Sequence, residues 1–333
     1  MPRGVDVEPA SFLADPTPSR LASLVPPTAA PVGGRPRIDS SALVPLTDGR
    51  RTPLYLIHPS GGDVLCYVAL ARAVRDRPVV AVCDPALIGD DRANELTSIQ
   101  LLAAAYADAI ARHAGTGDVV VGGWSMGGTL AHEVAAILAA DPAFDAVTPV
   151  GVVMIDSTVP DRIRALPGAE RREQAAAATL RYLGSLEAFL DVDLRSSDPA
   201  TAAALTDAGP AGHGDVVSAL LARADLSTVD VERKLAVFHR HLEGLGEHTA
   251  RRFYDAPVLL VRALERAPRN SGIGMGVDDA VDLPDLGWRD RTGDLRRRDV
   301  AAHHYSLLDA PAVDAVADLV DGFLDEVAEG GRR

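Results

Sequence analysis

The chain has 333 residues, 47% of them hydrophobic, and a formal net charge of −14. That length and apolar content are enough for a sizeable core, and acidic residues spread along the chain argue against nucleic acid as a partner. No apolar run reaches the length of a bilayer span and no charged-then-apolar leader follows Met1, so the expectation is a soluble cytoplasmic protein with no membrane partner.

Residues 1–50 do not read as the start of an α/β domain. Phe12 to Val25 is a short apolar-patterned piece, and Pro26 to Gly34 is rich in proline and glycine, the composition of a linker. The expected division is therefore residues 1–25, a linker over 26–50, and a main domain over 51–330. The piece S-F-L-A-D-P-T-P-S-R-L-A-S-L-V resembles the last helix of a peptidyl or acyl carrier domain. This likeness implies that residues 1–25 are the end of a carrier domain, with the serine that bears phosphopantetheine upstream of Met1, and that the chain is one segment of a longer assembly protein.

From Pro53 the pattern changes to alternating strands and helices. Leu54 to Ile57 is a compact apolar strand running into His58-Pro59-Ser60-Gly61-Gly62, a loop whose composition exposes backbone N–H groups at low steric cost. Val64 to Val74 reads as a helix, Val79 to Cys83 as a strand, and Ser98 to His113 as a helix with Leu101, Leu102, Tyr106 and Ile110 on one face. Cys66 and Cys83, the only cysteines, lie in apolar segments without metal-ligand spacing and read as small buried hydrophobes. No metal site is expected.

Val119 to Val121 then leads through Gly122 and Gly123 into Trp124-Ser125-Met126-Gly127-Gly128, and apolar positions Leu130, Val134, Ile137 and Leu138 follow at helical spacing. Strand, sharp turn and helix around G-x-S-x-G form a nucleophile elbow, which holds Ser125 out of the sheet with its hydroxyl exposed. The helix start supplies free N–H groups where an oxyanion would form. Val150 to Ile155 is a further apolar strand, ending in Asp156-Ser157. Strands apolar on both faces and separated by helices predict a doubly wound, mostly parallel sheet.

Between about residues 160 and 255 the alternation stops. Arg171 to Leu190, Asp215 to Ala224 and Val229 to His248 read as helices, broken by patches such as Ala208-Gly209-Pro210-Ala211-Gly212. A helical insertion after a strand is a candidate lid. Val258 to Ala263 restores a strand, a glycine-rich loop follows, and Ala312 to Val327 closes the chain as an amphipathic helix.

A serine nucleophile needs a base, and the base an orienting carboxylate. With the chain order Ser, acid, His of such sheets, Asp156 suits the acid, since it directly follows an apolar strand. Among nine histidines, His303 and His304 fall between the sheet and the last helix, where the base belongs; composition leaves both open.

Leu54 to Gly62, Gly-Trp-Ser-Met-Gly-Gly, Met154-Ile155-Asp156-Ser157 and His304-Tyr305-Ser306-Leu307-Leu308 together resemble the chain-terminating thioesterase domains of nonribosomal peptide synthetases and related polyketide synthases, of the α/β-hydrolase superfamily. The likeness covers about residues 50–330 and is weak in the lid. It implies an α/β-hydrolase fold with a helical lid insertion and, from the aromatic that follows the family's catalytic histidine, His304 as the base. Ala302 and Tyr305 depart from that family's usual glycine and phenylalanine, which keeps His303 as the alternative. It further implies oxyanion donors at the backbone N–H groups of Met126 and Ser60, and a packing role for Trp124. The implied reaction is release of a peptidyl or polyketide chain from a carrier's phosphopantetheine thioester by macrocyclisation or hydrolysis. The likeness also implies that the domain binds no cofactor itself and that its partners are an upstream carrier domain and the acyl thioester, and the isolated domain is expected to be a monomer. A stand-alone editing thioesterase, a general carboxylesterase and a non-catalytic carrier-docking module are the alternatives.

Overall fold

The computed structural model of the chain describes residues 36–333 apart from 91, 92, 94, most of 161–192, 197, 224–228, 251–253, 266–282 and 331–333. The carrier-like piece at residues 1–25 lies outside the described residues. Within 37–333, a seven-stranded sheet has the order β1-β3-β2-β4-β5-β6-β7. Strands β2 (Leu54–Ile57), β3 (Val79–Val82), β4 (Gly117–Trp124), β5 (Val147–Ile155), β6 (Tyr254–Glu265) and β7 (Thr292–His303) run parallel. β1 (Leu43–Thr47) pairs antiparallel with β3.

Every residue of β2 and β3 is buried, as are the last five of β5. Such strands need cover on both faces. Helices α1 (Val68–Ala73), α2 (Ile99–Ala114) and α3 (Met126–Ala140) come from the first half, and α6 (Ala312–Gly330) from the end. α1 packs with α6 and α2 packs with α3, which makes the two covering layers. α3 is apolar nearly all round, with Leu130, Val134 and Leu138 buried. Burial of each such side chain stabilises by about 1.5–3 kcal/mol.

Two strands escape the periodicity reading. Residues 43–47, placed in the linker by composition, form β1; Pro45 is tolerated because this is an edge strand. β7, at the other edge, carries Arg296-Arg297-Arg298-Asp299, whose side chains are exposed or half-buried and pair with neighbours, as Arg262 does with Asp299 at 3.1 Å. An edge strand with that charge run shows little alternation. Cys83 is buried but Cys66 is half-buried, a difference from the expected pair of buried hydrophobes; both are free thiols, and burial raises Cys83 to about 11.

The insertion contains α4 (Pro199–Arg223) and α5 (Val229–Glu247). The predicted breaker patch appears as a kink within α4, where Gly209 takes φ 64° and ψ 173°. Leu205, Val217, Leu221 and Leu235 belong to an apolar cluster separate from the main core. Most of the helix expected at 171–190 lies outside the described residues. Among the described residues no helix is long and apolar enough to cross a membrane.

Candidate active site

Ser125 joins β4 to α3. Its φ of 57° and ψ of −126° are an uncommon backbone state for a residue with a side chain, held by the Ser125 N–H donating to Ile155 O at 2.9 Å. The flanking glycines are required by close approach. A Cβ on Gly123 would run into the backbone of Gly127, and one on Gly127 into the carbonyl oxygen of Ile57 in β2. Met126 opens α3, so its N–H is one of the donors a helix start leaves without an intrahelical partner.

Asp156 follows β5, also at positive φ, 47°. Its N–H donates to Val261 O at 2.7 Å, and its carboxylate is divided between two donors: Oδ1 accepts from Ala263 N–H at 2.9 Å and Oδ2 meets His304 Nδ1 at 2.7 Å. A carboxylate that accepts on both oxygens places the imidazole proton on Nδ1, which leaves the His304 Nε2 lone pair available. His304 is buried in the turn just beyond β7. Its ring lies 5.0 Å from that of Trp124, and its carbonyl accepts from Trp124 Nε1–H at 3.0 Å. The residue before the elbow serine thus holds the histidine. His303 ends β7 and is half-buried; its Nδ1 has no hydrogen-bond partner among the described residues and its backbone bonds with Ser306.

Ser60 sits in a β-turn closed by Gly62 N–H donating to Pro59 O at 2.9 Å. As residue i+1, its own N–H takes no part in closing the turn. Around this turn is a cluster that sequence reasoning missed. His58 Nδ1 donates to Pro59 O at 2.8 Å while Tyr106 donates its hydroxyl proton to His58 Nε2 at 2.6 Å, a neutral ring. Burial, then the neighbouring His241, pushes His58 down to about 3. Asp84, just after β3, accepts from Arg240 at 2.7 Å and from His241 at 2.9 Å, both on α5. Burial would raise the Asp84 carboxyl, but the His241 hydrogen bond and the cations beside it hold it well below the usual carboxylate range. Asp84 had a readable signal, an acid directly after an apolar strand, the same one that singled out Asp156. His241 had none.

A family model described as a thioesterase domain matches residues 52–209. Over that stretch the chain is similar to thioesterase domains. The match includes Ser125 and Asp156 and stops before His304. A thioesterase of Fusarium pseudograminearum is 26% identical over 271 residues, covering 80% of this chain and 87% of that protein. The nonribosomal peptide synthetase ucdA of Aspergillus ustus is 34% identical over 119 residues, 36% of this chain and 12% of the synthetase. The chain thus spans about an eighth of that synthetase and most of the Fusarium protein. Among solved structures, a holo four-domain nonribosomal peptide synthetase bound to AMP and glycine matches with a TM-score of 0.65 and 25% identity, over 85% of this chain and 20% of that one. The Vlm2 thioesterase domain matches with a TM-score of 0.53 and 24% identity, over 84% and 96%. The fold is accordingly that of α/β-hydrolase thioesterase domains, and the chain is similar in sequence to a thioesterase and to part of a peptide synthetase.

Proposed function

We propose that this thioesterase domain releases a peptidyl or polyketide chain from the phosphopantetheine thioester of a carrier domain through an acyl-Ser125 intermediate. The observation that carries the reading is the buried Asp156–His304 pair, tied to the elbow through Trp124, the residue before the strained Ser125. His304 Nε2 takes the Ser125 Oγ proton as Oγ bonds to the thioester carbon. The carbonyl oxygen gains charge and is met by the N–H groups of Met126 and Ser60, each worth on the order of 10²- to 10³-fold in rate. The C–S bond then breaks, and the histidine returns its proton to the leaving pantetheine sulfur. In the second half His304 activates water, or an amine or hydroxyl of the chain itself, so that hydrolysis or macrocyclisation frees Ser125. The domain holds no cofactor in this scheme, since the pantetheine arm arrives with the substrate. Residues 1–25, read as the end of a carrier domain, and the insertion at about 160–255, read as a lid, belong to the same proposal, with the isolated domain a monomer.

Intact mass spectrometry after incubation with a short acyl thioester of N-acetylcysteamine tests it. An acyl adduct on the wild type that is absent in Ser125→Ala is the expected result, and product lighter by one water marks ring closure. Equal adduct or turnover in Ser125→Ala overturns the assignment.

A further inference from the structure

The central peptide of the Pro59–Gly62 turn, between Ser60 and Gly61, is the one whose rotation converts one turn type into another, and glycine at the following position admits both. That peptide directly follows the Ser60 N–H. Its carbonyl is held from outside the loop: His241 Nδ1 donates to Ser60 O at 2.8 Å. The peptide on the other side of Ser60 is held within the sheet domain, because Pro59 O accepts from both His58 Nδ1 and Gly62 N–H. Both peptide planes around Ser60 are therefore fixed by imidazoles, which stack with ring centroids 4.8 Å apart and planes 16° from parallel. They differ in origin. His58 belongs to the loop, and His241 comes from α5 of the insertion.

The partners of His241 determine its orientation. Nδ1 faces a carbonyl and Nε2 a carboxylate, so the ring donates at both nitrogens. Asp84 is itself held by Arg240 and by Ala86 N–H at 2.9 Å. His58, Asp84 and His241 also present one ligand atom each within 4.8 Å of one another, but the guanidinium already occupies the shared Asp84 oxygen and a carbonyl faces Nδ1 of each imidazole. The arrangement is a hydrogen-bonded clamp.

We propose that His241 is a positioning residue for the oxyanion site: by holding the Ser60–Gly61 peptide it makes the geometry of the Ser60 donor depend on the seating of lid helix α5. The proposal rests on the reading of the Ser60 N–H as an oxyanion donor. Its consequence is that the hydrolytic machinery is complete only with α5 docked, which ties catalytic competence to the element that covers the substrate.

The test separates the two nitrogens of the ring. Asparagine places its amide near Nδ1 and keeps the bond to Ser60 O; glutamine reaches Nε2 and keeps the bond to Asp84. Steady-state thioester turnover is measured for wild type, His241→Ala, His241→Asn and His241→Gln, together with fluorophosphonate labelling of Ser125 and thermal melting. The expected result is a fall in kcat of about tenfold or more in the Ala and Gln variants with KM nearly unchanged, and recovery to within about threefold of wild type in Asn. A side chain that merely anchors the lid predicts the reverse order, Gln above Asn, which overturns the proposal, as does wild-type kcat in all three. Should His241→Ala fail to fold, the Asn and Gln pair decides between the outcomes. Failure of the wild type to label at Ser125 sinks the underlying reading of the site, and is distinguishable from a labelled wild type whose turnover ignores His241.

Discussion

Replacing Asp156 with asparagine leaves the shape of the site unchanged and reverses its proton logic. Asp156 Oδ1 accepts from the buried Ala263 N–H and Oδ2 from His304 Nδ1. The asparagine amide must direct its single oxygen to one of them. Turned toward His304, it leaves Ala263 N–H facing an NH2 group, an unsatisfied buried donor that costs about 1–3 kcal/mol. Turned toward Ala263, it presents its NH2 to Nδ1, and the imidazole answers by moving its proton to Nε2. The two neutral tautomers of histidine lie close in energy, so the second arrangement wins and Nε2 can no longer accept the Ser125 proton. The charge that would stabilise the imidazolium is gone as well. The expected loss in kcat is ~10³- to 10⁴-fold, or about 4–5.5 kcal/mol of barrier, against a stability loss of about 1.5–3 kcal/mol for one charge-assisted hydrogen bond. Release of N-acetylcysteamine, followed with a thiol reagent and set against Ser125→Ala as baseline, measures the first; thermal melting measures the second. A variant within about tenfold of wild-type kcat would refute the tautomer argument and with it the role given to His304.

Gly127→Ala drives a methyl group into the backbone oxygen of Ile57, where no side chain can give way; the cost is about 3 kcal/mol, visible as a drop in Tm on the order of 10 °C. The control is Gly214→Ala, where a Cβ meets nothing within 4 Å among the described residues and melting holds or rises; equal effects would count against the steric reading of the elbow. Stability should also fall with acid before the carboxylates titrate. His58 stays neutral when folded down to about 3 but binds a proton near 6.5 when unfolded, so the unfolded state holds the extra proton in between and stability is lost as the pH is lowered through that window. The slope is about 1.4 kcal/mol per pH unit. Melting between pH 6.5 and 4.5 should show a shallower slope in His58→Gln, and an unchanged slope would place the lost proton elsewhere.

The local parts of the site are written in contiguous stretches. Val119 to Gly128 specifies a strand, a strained turn and a helix because β-branched residues, glycines and helical spacing act over neighbouring positions, and Asp156 is legible because it ends a fully apolar strand. The same local rules miss β1 and β7. Edge strands are half solvated, so Pro45 and the Arg296–Arg298 run carry no cost there and leave no alternating pattern. Choosing between His303 and His304 needs more than spacing. Adjacent residues at a strand end point to different sides, and only the approach of Asp156 and Trp124 from other elements distinguishes them. The clamp lies furthest from the sequence. His58, Asp84 and His241 come from the ends of two strands and from a helix of the insertion, and their chemistry exists only because folding removes them from water against one another. Turn and strand propensities are properties of a segment, whereas the burial that fixes a proton on a ring nitrogen belongs to the assembled tertiary structure.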